Sequence, residues 1–178
     1  ARTLAKTMVE LGENSGMKTV ALITSMETVL GNNAGNALEV SESLEVLEGG
    51  GPKDLVEVTL ALAQEMLDLS NVDLDPGEVL ASGKPREVFE EMVSAQGGDL
   101  SKGLPVAEYK KTINASATGY LSKLDCRSVG LAAWRLGAGR AKKEDSVSPT
   151  AGIKCLVKPG AYINSGEPVL ELYGDTEN

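Results

Sequence analysis

The stretch that decides the fold is LGNNAGNALEVSESLEVLEGGGPKD, residues 30–54, in which two glycine-rich turns flank a helix-like run. Apolar residues recur there at helical spacing and share one face: Ala37, Val40, Leu44 and Leu47. The run GGGP, residues 49–52, then favours an end to this helix and a start to the next, because glycine suits a helix C-terminus and proline suits a first turn. The stretch therefore predicts two consecutive helices.

The residues on either side of this stretch predict a helix-rich α/β unit. Residues 1–11 carry apolar side chains at helical spacing, and GENSG, residues 12–16, closes that helix. KTVALITSM, residues 18–26, lacks polar alternation and predicts a buried strand of a parallel sheet. Further helices are expected over residues 53–69, in the connector 73–85, and over 86–98. We assign residues 1–104 to this partial α/β domain.

The pattern changes to short strands in residues 105–178, which we assign to a small α+β domain. KTINASATGYLSKLD, residues 111–125, predicts two strands, and CRSVGLAAWRLGAGR predicts a helix with Asp125 as N-cap and Gly137 as its stop. Three short β-like runs follow between residues 151 and 175, separated by KPG and NSG, and they predict β-hairpins. The expected fold class is thus α/β followed by α+β with a small antiparallel sheet.

Composition narrows the function classes. The 178 residues carry a net charge of −9, which argues against nucleic acid or an anionic membrane as the main partner. No apolar run is long enough to span a bilayer and the N-terminus is unlike a signal peptide, so we expect a cytoplasmic protein. The chain has no histidine, and Cys126 and Cys155 have no partner motif, which excludes zinc-finger spacing and Cys-His or Ser-His pairs. Both cysteines are expected to be buried apolar residues.

The glycines before the 37–47 helix do not form a phosphate loop. A P-loop needs four residues between its glycines and then Gly-Lys-Ser/Thr, whereas Gly31 and Gly35 are separated by three residues and Asn-Ala follows. The dinucleotide fingerprint GxGxxG is missing as well. Phosphate binding by this loop is therefore not expected.

The acidic residues Glu39, Glu42 and Glu45 allow two interpretations. They could form a solvated helix face, since residues three apart are neighbours on a helix surface. They could also contribute to a cation site, because backbone carbonyls of a loop and a helical carboxylate are hard oxygen ligands. Periodicity leaves both open.

A second glycine-rich block, LGAGRAKKED at residues 136–145, also allows two interpretations. Arg140, Lys142 and Lys143 could form an anion patch. A helix C-cap followed by a charged surface loop explains the same pattern and is the simpler interpretation.

Two separate blocks in the chain resemble one family. GNALEV with the following GPKDL, and LGAGRAKKED, occur in an order and at a spacing similar to the central and C-terminal portion of thymidine or pyrimidine-nucleoside phosphorylases. The resemblance implies part of a homodimeric pentosyltransferase of nucleotide salvage, which converts a pyrimidine nucleoside and phosphate reversibly into free base and (deoxy)ribose 1-phosphate. It also implies a C-terminal domain similar to a lipoyl-like barrel-sandwich.

The family's phosphate-binding and base-binding segments have no counterpart in this chain. The resemblance therefore implies no catalytic or substrate-binding residues here, and an inactive fragment. It implies one remaining site, for a monovalent, potassium-like cation, held by the backbone carbonyls of Leu30 and Asn33 and the carboxylate of Glu42. Many members of the family carry a small apolar residue at the position of Asn33. No organic cofactor is expected.

Two alternatives remain open from the sequence. One is a non-catalytic binding or scaffold module that uses the lipoyl-like domain as its interaction surface. The other is a fragment of an AMP phosphorylase, which shares the fold. A carrier role is not expected, because Lys158 lies beside a Pro-Gly turn without the flanking methionines of lipoyl or biotinyl carriers.

Overall fold

The computed structural model describes residues 1–177 and combines helices with antiparallel sheets. The helices are α1 Arg2–Asn14, α2 Asn36–Leu47, α3 Lys53–Ser70, α4 Pro76–Ala81, α5 Lys84–Ala95 and α6 Cys126–Ala133. The strands are β1 Asn33–Gly35, β2 Tyr109–Asn114, β3 Gly119–Tyr120, β4 Gly152–Cys155, β5 Tyr162–Ile163 and β6 Pro168–Gly174. A mixed helix and sheet class is confirmed.

The strands form one four-stranded and one two-stranded sheet. The first has the order β1-β4-β6-β2 and the second pairs β3 with β5, and every pairing is antiparallel. The prediction of hairpins in the tail is wrong. The strand β5 lies between β4 and β6 in sequence, but it pairs with β3 in the other sheet, so β4 pairs directly with β6. Over residues 1–177 the sheets do not close into a barrel, and no parallel pair forms. β1 lies in the first predicted domain and β4 in the second, and the division at residue 104 stays a prediction.

The buried core lies where α6 packs on β4. Val129 and Ala133 of α6 contact Ile153 and Cys155 of β4, and Val29 of the loop before β1 completes the cluster. Asp125 is the N-cap of α6, as predicted: its carboxylate accepts from the backbone amide of Ser128 at 2.9 Å.

The two cysteines differ in burial. Cys155 is buried, as expected, whereas Cys126 at the start of α6 is only half-buried. The helix α6 ends at Ala133, before the predicted stop, and a π-helical turn, Trp134–Ala138, follows it. Gly137, the predicted stop, lies in this turn with φ of +110°, a left-handed conformation that favours glycine.

The apolar segment 18–26 forms no strand within residues 1–177, so the prediction is wrong for this chain by itself. Its apolar side chains are exposed, with Val20 at 47%, Ile23 at 49% and Met26 at 80%. A buried strand requires hydrogen-bonding neighbours and a covering layer. Within residues 1–177 the four-stranded sheet is formed by other segments, which leaves 18–26 without either.

The surface is large for a chain of this size. It exposes 12209 Å², whereas a compact monomer of the same mass is expected to expose about 8,200 Å². The apolar residues of α1 contribute to the excess, with Leu4 and Leu11 more than 60% exposed. A groove of about 450 Å³ between α3 and α4 is lined mainly by aliphatic side chains. None of the described helices is both long enough and apolar enough to cross a membrane.

Candidate cation site

Glu42 is the one charged side chain among the buried residues of the described chain, with 4% of its surface exposed. It lies in α2 and points back at the loop that precedes β1. Its Oε1 accepts from the backbone amide of Asn32 at 2.9 Å and from Nδ2 of Asn33 at 3.0 Å. The sequence prediction of a cation ligand and the alternative of a solvated acidic face differ on this point, and the burial of Glu42 disfavours a solvated face for this residue.

The loop can approach Glu42 closely because residue 31 is glycine. Gly31 has φ of +67°, and a Cβ placed on it would lie 2.2 Å from Oε2 of Glu42. Any side chain at this position would therefore displace the carboxylate as well as strain the backbone. The glycine that first suggested a phosphate loop instead makes room for a carboxylate.

Burial raises the pKa of Glu42, because the charged form loses hydration in the interior. The hydrogen bonds from Asn32 and Asn33 lower the pKa and offset part of this effect, and the positive charge of Lys158 acts in the same direction. A cation beside the carboxylate would stabilise its charged form further.

Asn33 lies in β1, an edge strand, opposite Lys154 of β4. The carbonyl of Asn32 accepts from the amide of Cys155 at 2.7 Å. Because hydrogen-bonded and non-hydrogen-bonded pairs alternate along an antiparallel ladder, Asn33 occupies a non-hydrogen-bonded position and its carbonyl points away from β4. Its backbone oxygen is therefore not used by the sheet, as a ligand carbonyl requires.

Leu30 lies in the loop before β1 and its side chain is 47% exposed. The structure brings Asn33 and Glu42 into direct contact. Leu30 lies between Val29 and Gly31 in the same loop, and the carbonyls of both neighbours accept from one further side chain.

That side chain is Lys158, whose role was not predicted from the sequence. Its Nζ donates to the carbonyl of Val29 at 2.7 Å, to the carbonyl of Gly31, and to Oδ2 of Asp54 at 3.0 Å. The lysine follows β4 and Asp54 is in the first turn of α3, so the contact joins distant parts of the chain. No local pattern marks such a residue, because its partners lie 104 to 129 residues away in the chain.

The contact with Lys158 changes the pKa of Asp54. Partial burial pushes its pKa upward, but the hydrogen bond and charge of Lys158 outweigh burial, so the pKa of Asp54 lies below its ordinary value. Asp54 is therefore ionised at neutral pH. Two carboxylates, Glu42 and Asp54, then accompany one ammonium, and the cluster retains about one negative charge when all three are ionised.

This donor set fits a monovalent cation better than a divalent one. It offers a carboxylate, backbone carbonyls and an amide oxygen, which are hard ligands. Within residues 1–177 no group of three or more Asp, Glu, His or Cys side chains gathers to hold a metal ion. A single net negative charge and neutral oxygens match an ion such as potassium.

The second glycine-rich block lies beside the N-terminus of α2. The side-chain amide of Asn36 donates to the carbonyls of Ala138 and Ser148, both at 3.0 Å. The carboxylate of Asp145 accepts from the amides of residues 141 and 142. Since those amides are already used, the block is organised as a closed loop, and the interpretation as an anion patch gains no support.

Comparisons with known proteins identify relatives over the whole chain. Residues 120–178 match the family described as pyrimidine nucleoside phosphorylase C-terminal domain. The chain is 50% identical over 174 residues to thymidine phosphorylase of Mycobacterium tuberculosis, covering 97% of this chain and 41% of that protein. It is 40% identical over 192 residues to pyrimidine-nucleoside phosphorylase of Bacillus subtilis, covering 100% of this chain and 44% of that protein. The chain thus spans less than half the length of the curated relatives it matches.

Proposed function

Because the chain belongs to the thymidine and pyrimidine-nucleoside phosphorylase family, of which it matches the C-terminal part, we propose that it works as that part of a phosphorylase. The reaction is the reversible phosphorolysis of a pyrimidine nucleoside to free base and (deoxy)ribose 1-phosphate. The observation that carries the proposal is the 50% identity to a thymidine phosphorylase over 97% of the chain. The complete enzyme would be a cytoplasmic homodimer, as the family resemblance and composition suggest.

The chain alone is not expected to catalyse this reaction. Phosphorolysis requires donors that hold phosphate and groups that stabilise charge on the departing base. The family resemblance places both sets in segments that precede the part matched here. In this chain the glycine-rich block at 136–145 uses its amides internally, which agrees with that placement.

The exposed apolar surface supports a larger folding unit. Three apolar surfaces of this chain are exposed to water, which costs free energy: the segment 18–26, the exposed face of α1, and the aliphatic groove between α3 and α4. We propose that the preceding part of the enzyme covers them, with 18–26 becoming a strand of the predicted parallel sheet. Burial of a β-branched, non-alternating run on both faces is what such a sheet provides.

The contribution of this chain to the active domain would be the cation site. The carbonyls of Leu30 and Asn33 and the carboxylate of Glu42 would hold a monovalent cation, which supplies a fixed positive charge that orders the backbone around it. Two observations support this proposal: Glu42 is buried, and its carboxylate is hydrogen-bonded to the loop before β1. The loop is anchored from its other side by Lys158.

A replacement chimera tests the function. The 178 residues replace the matching 41% of Mycobacterium tuberculosis thymidine phosphorylase, and release of free base from thymidine and uridine is measured with phosphate present. We expect phosphorolysis by the chimera and none by the chain alone. Turnover by the chain alone would contradict the placement of the active site, and a folded, dimeric but inactive chimera would contradict the proposed function.

A further inference from the structure

The side-chain oxygen of Asn33 has no partner. Within residues 1–177, Oδ1 of Asn33 is the one buried side-chain nitrogen or oxygen that lacks a hydrogen bond. Buried polar atoms of native proteins are almost always paired, and each exception calls for a ligand or a functional reason. The orphan lies in the same residue whose backbone carbonyl is a candidate cation ligand.

The orientation of this amide is set by its neighbour. Nδ2 of Asn33 donates to Oε1 of Glu42 at 3.0 Å. An ionised carboxylate only accepts, so turning the amide over would place two oxygens against each other. The carboxylate therefore fixes which end of the amide faces Glu42: Nδ2 is that end, and Oδ1 is the other.

Nothing else in the described chain satisfies that oxygen. Lys158, the ammonium of the cluster, donates to Val29, Gly31 and Asp54 instead. Lys154 lies opposite Asn33 in β4, but it forms no hydrogen bond with this oxygen. Because Oδ1 is buried, bulk solvent does not satisfy it either. A cation needs no proton donor, and hard cations coordinate amide oxygens directly.

We propose that Oδ1 of Asn33 is a direct ligand of the monovalent cation, in addition to the backbone carbonyls of Leu30 and Asn33 and the carboxylate of Glu42. This inference rests on the cation role proposed above. The amide adds an oxygen without adding charge, so the cluster keeps the single negative charge that suits a monovalent ion. The same residue then supplies two ligand atoms, one from the backbone and one from the side chain.

The side chain also links two ligands to each other. Its Nδ2 positions Oε1 of Glu42 while its Oδ1 contacts the ion, so loss of Asn33 removes a ligand and loosens a second one. A small apolar side chain at this position would leave the carbonyl but neither amide contact. This chain is therefore expected to bind potassium more tightly than its own Asn33→Ala variant.

Carbon-detected NMR of the full chain tests the inference directly. Potassium chloride is titrated against choline chloride at constant ionic strength, and the carboxamide carbon of Asn33 and the carboxylate carbon of Glu42 are followed. We expect both signals to shift along one common saturation curve. If the Glu42 signal saturates while the Asn33 carboxamide does not move, the inference is overturned and the carbonyl and carboxylate ligands remain.

Variants give a second measurement. Asn33→Ala is expected to weaken potassium binding about tenfold. Asn32→Ala is the matched control, because Asn32 contributes its backbone amide and carbonyl to the neighbouring contacts, which the substitution retains. Equal affinities of Asn33→Ala and the unsubstituted chain would contradict the inference.

If the ion also needs ligands from the preceding part of the enzyme, the chimera described above supplies them. Its thermal midpoint is measured with potassium or choline chloride, for the Asn33 and Asn32 variants alike. If neither chain nor chimera responds to potassium, the inference and the cation site are both overturned. Phosphorolysis by that same chimera would still support the proposed function, so the two failures are distinguishable.

Discussion

Lys158 and Asp54 form an ion pair at 3.0 Å although 104 residues separate them in the chain. The same ammonium donates to the carbonyls of Val29 and Gly31. The turn after β4 thus holds both the loop before β1 and the first turn of α3. The position of the candidate cation loop therefore depends on a residue of the C-terminal unit.

Replacing the lysine should loosen this junction. Lys158→Met keeps most of the aliphatic stem and removes the donor, which leaves two carbonyls and Asp54 without their partner. Because the site is partly exposed, we expect a loss of about 1–2 kcal/mol in the free energy of unfolding. Urea unfolding measures it. Lys123→Met, which removes an exposed lysine paired with Asp125, is the control and should change stability by less than about 0.5 kcal/mol. Equal losses for the two variants would show that the contacts of Lys158 stabilise the chain no more than an exposed ion pair does.

Asp54 should make part of the stability sensitive to acid. Its pKa in the folded chain is lowered from the ordinary value of 3.8, so its contribution is present above that value and is lost as pH falls through the folded pKa. The difference in unfolding free energy between the unsubstituted chain and Asp54→Asn should therefore shrink as pH falls below about 4. A difference that stays constant from neutral to strongly acidic pH would contradict the role of the Lys158 contact.

Potassium should stabilise the chain through Glu42. At roughly ten times its dissociation constant, an ion that binds only the folded state adds about 1.4 kcal/mol. Glu42→Gln should reduce this gain strongly, because the amide oxygen carries no charge, although it can still accept from Asn32. Thermal unfolding of the unsubstituted chain and of the Gln variant, each in potassium chloride and in choline chloride, measures this gain. A potassium gain of the same size in the Gln variant would show that the charge of Glu42 contributes nothing to potassium binding.

The same gain should depend on pH with a definite sign. Burial raises the pKa of Glu42 above its ordinary value of 4.5, so the protonated form persists to higher pH than in an exposed glutamate. Protons and potassium compete for the carboxylate. The potassium gain should be full above the raised pKa and disappear as pH falls through it, which a series of thermal midpoints at different pH values can follow. A gain that increases toward acid pH would contradict this arrangement.

Gly31 should tolerate no side chain. Gly16 and Gly31 both have a left-handed φ, of +78° and +67°, but a Cβ on Gly16 would meet nothing within 4 Å whereas one on Gly31 would meet Glu42. Gly16→Ala should therefore lose about 1 kcal/mol of stability from backbone strain alone, and Gly31→Ala about 3 kcal/mol. Denaturant unfolding of the two variants isolates the contact with the carboxylate. Similar losses would mean that Glu42 moves aside freely.

The segment 18–26 should change state in the larger enzyme. In the chain alone its backbone has no strand partner, so its amides should exchange with solvent rapidly. In the chimera they should become strongly protected, as expected for a strand in the interior of a sheet. Hydrogen exchange followed by mass spectrometry compares the two. Equally fast exchange in an active chimera would show that the segment is not a strand there.

Local signals in the sequence determined the helices and their ends. The apolar spacing at 37–47, the GGGP turn and the N-cap Asp125 each act within one or two helical turns. Such interactions are present in any environment, because residues close in sequence stay close in space. Family resemblance added Glu42 and Asn33, which the structure then brings into contact.

Tertiary structure decided what depends on distant partners. The strand β4 pairs with β6 instead of β5, and the segment 18–26 forms no strand. Both outcomes depend on which neighbouring segments are available for pairing, and strand propensity does not specify those neighbours. The anchoring of the loop by Lys158 and the unpaired oxygen of Asn33 arise from contacts between residues far apart in the chain. The sequence by itself thus determined the helices and identified Glu42 as the candidate ligand. Only the folded chain decided that this carboxylate is buried, because burial depends on everything packed around it.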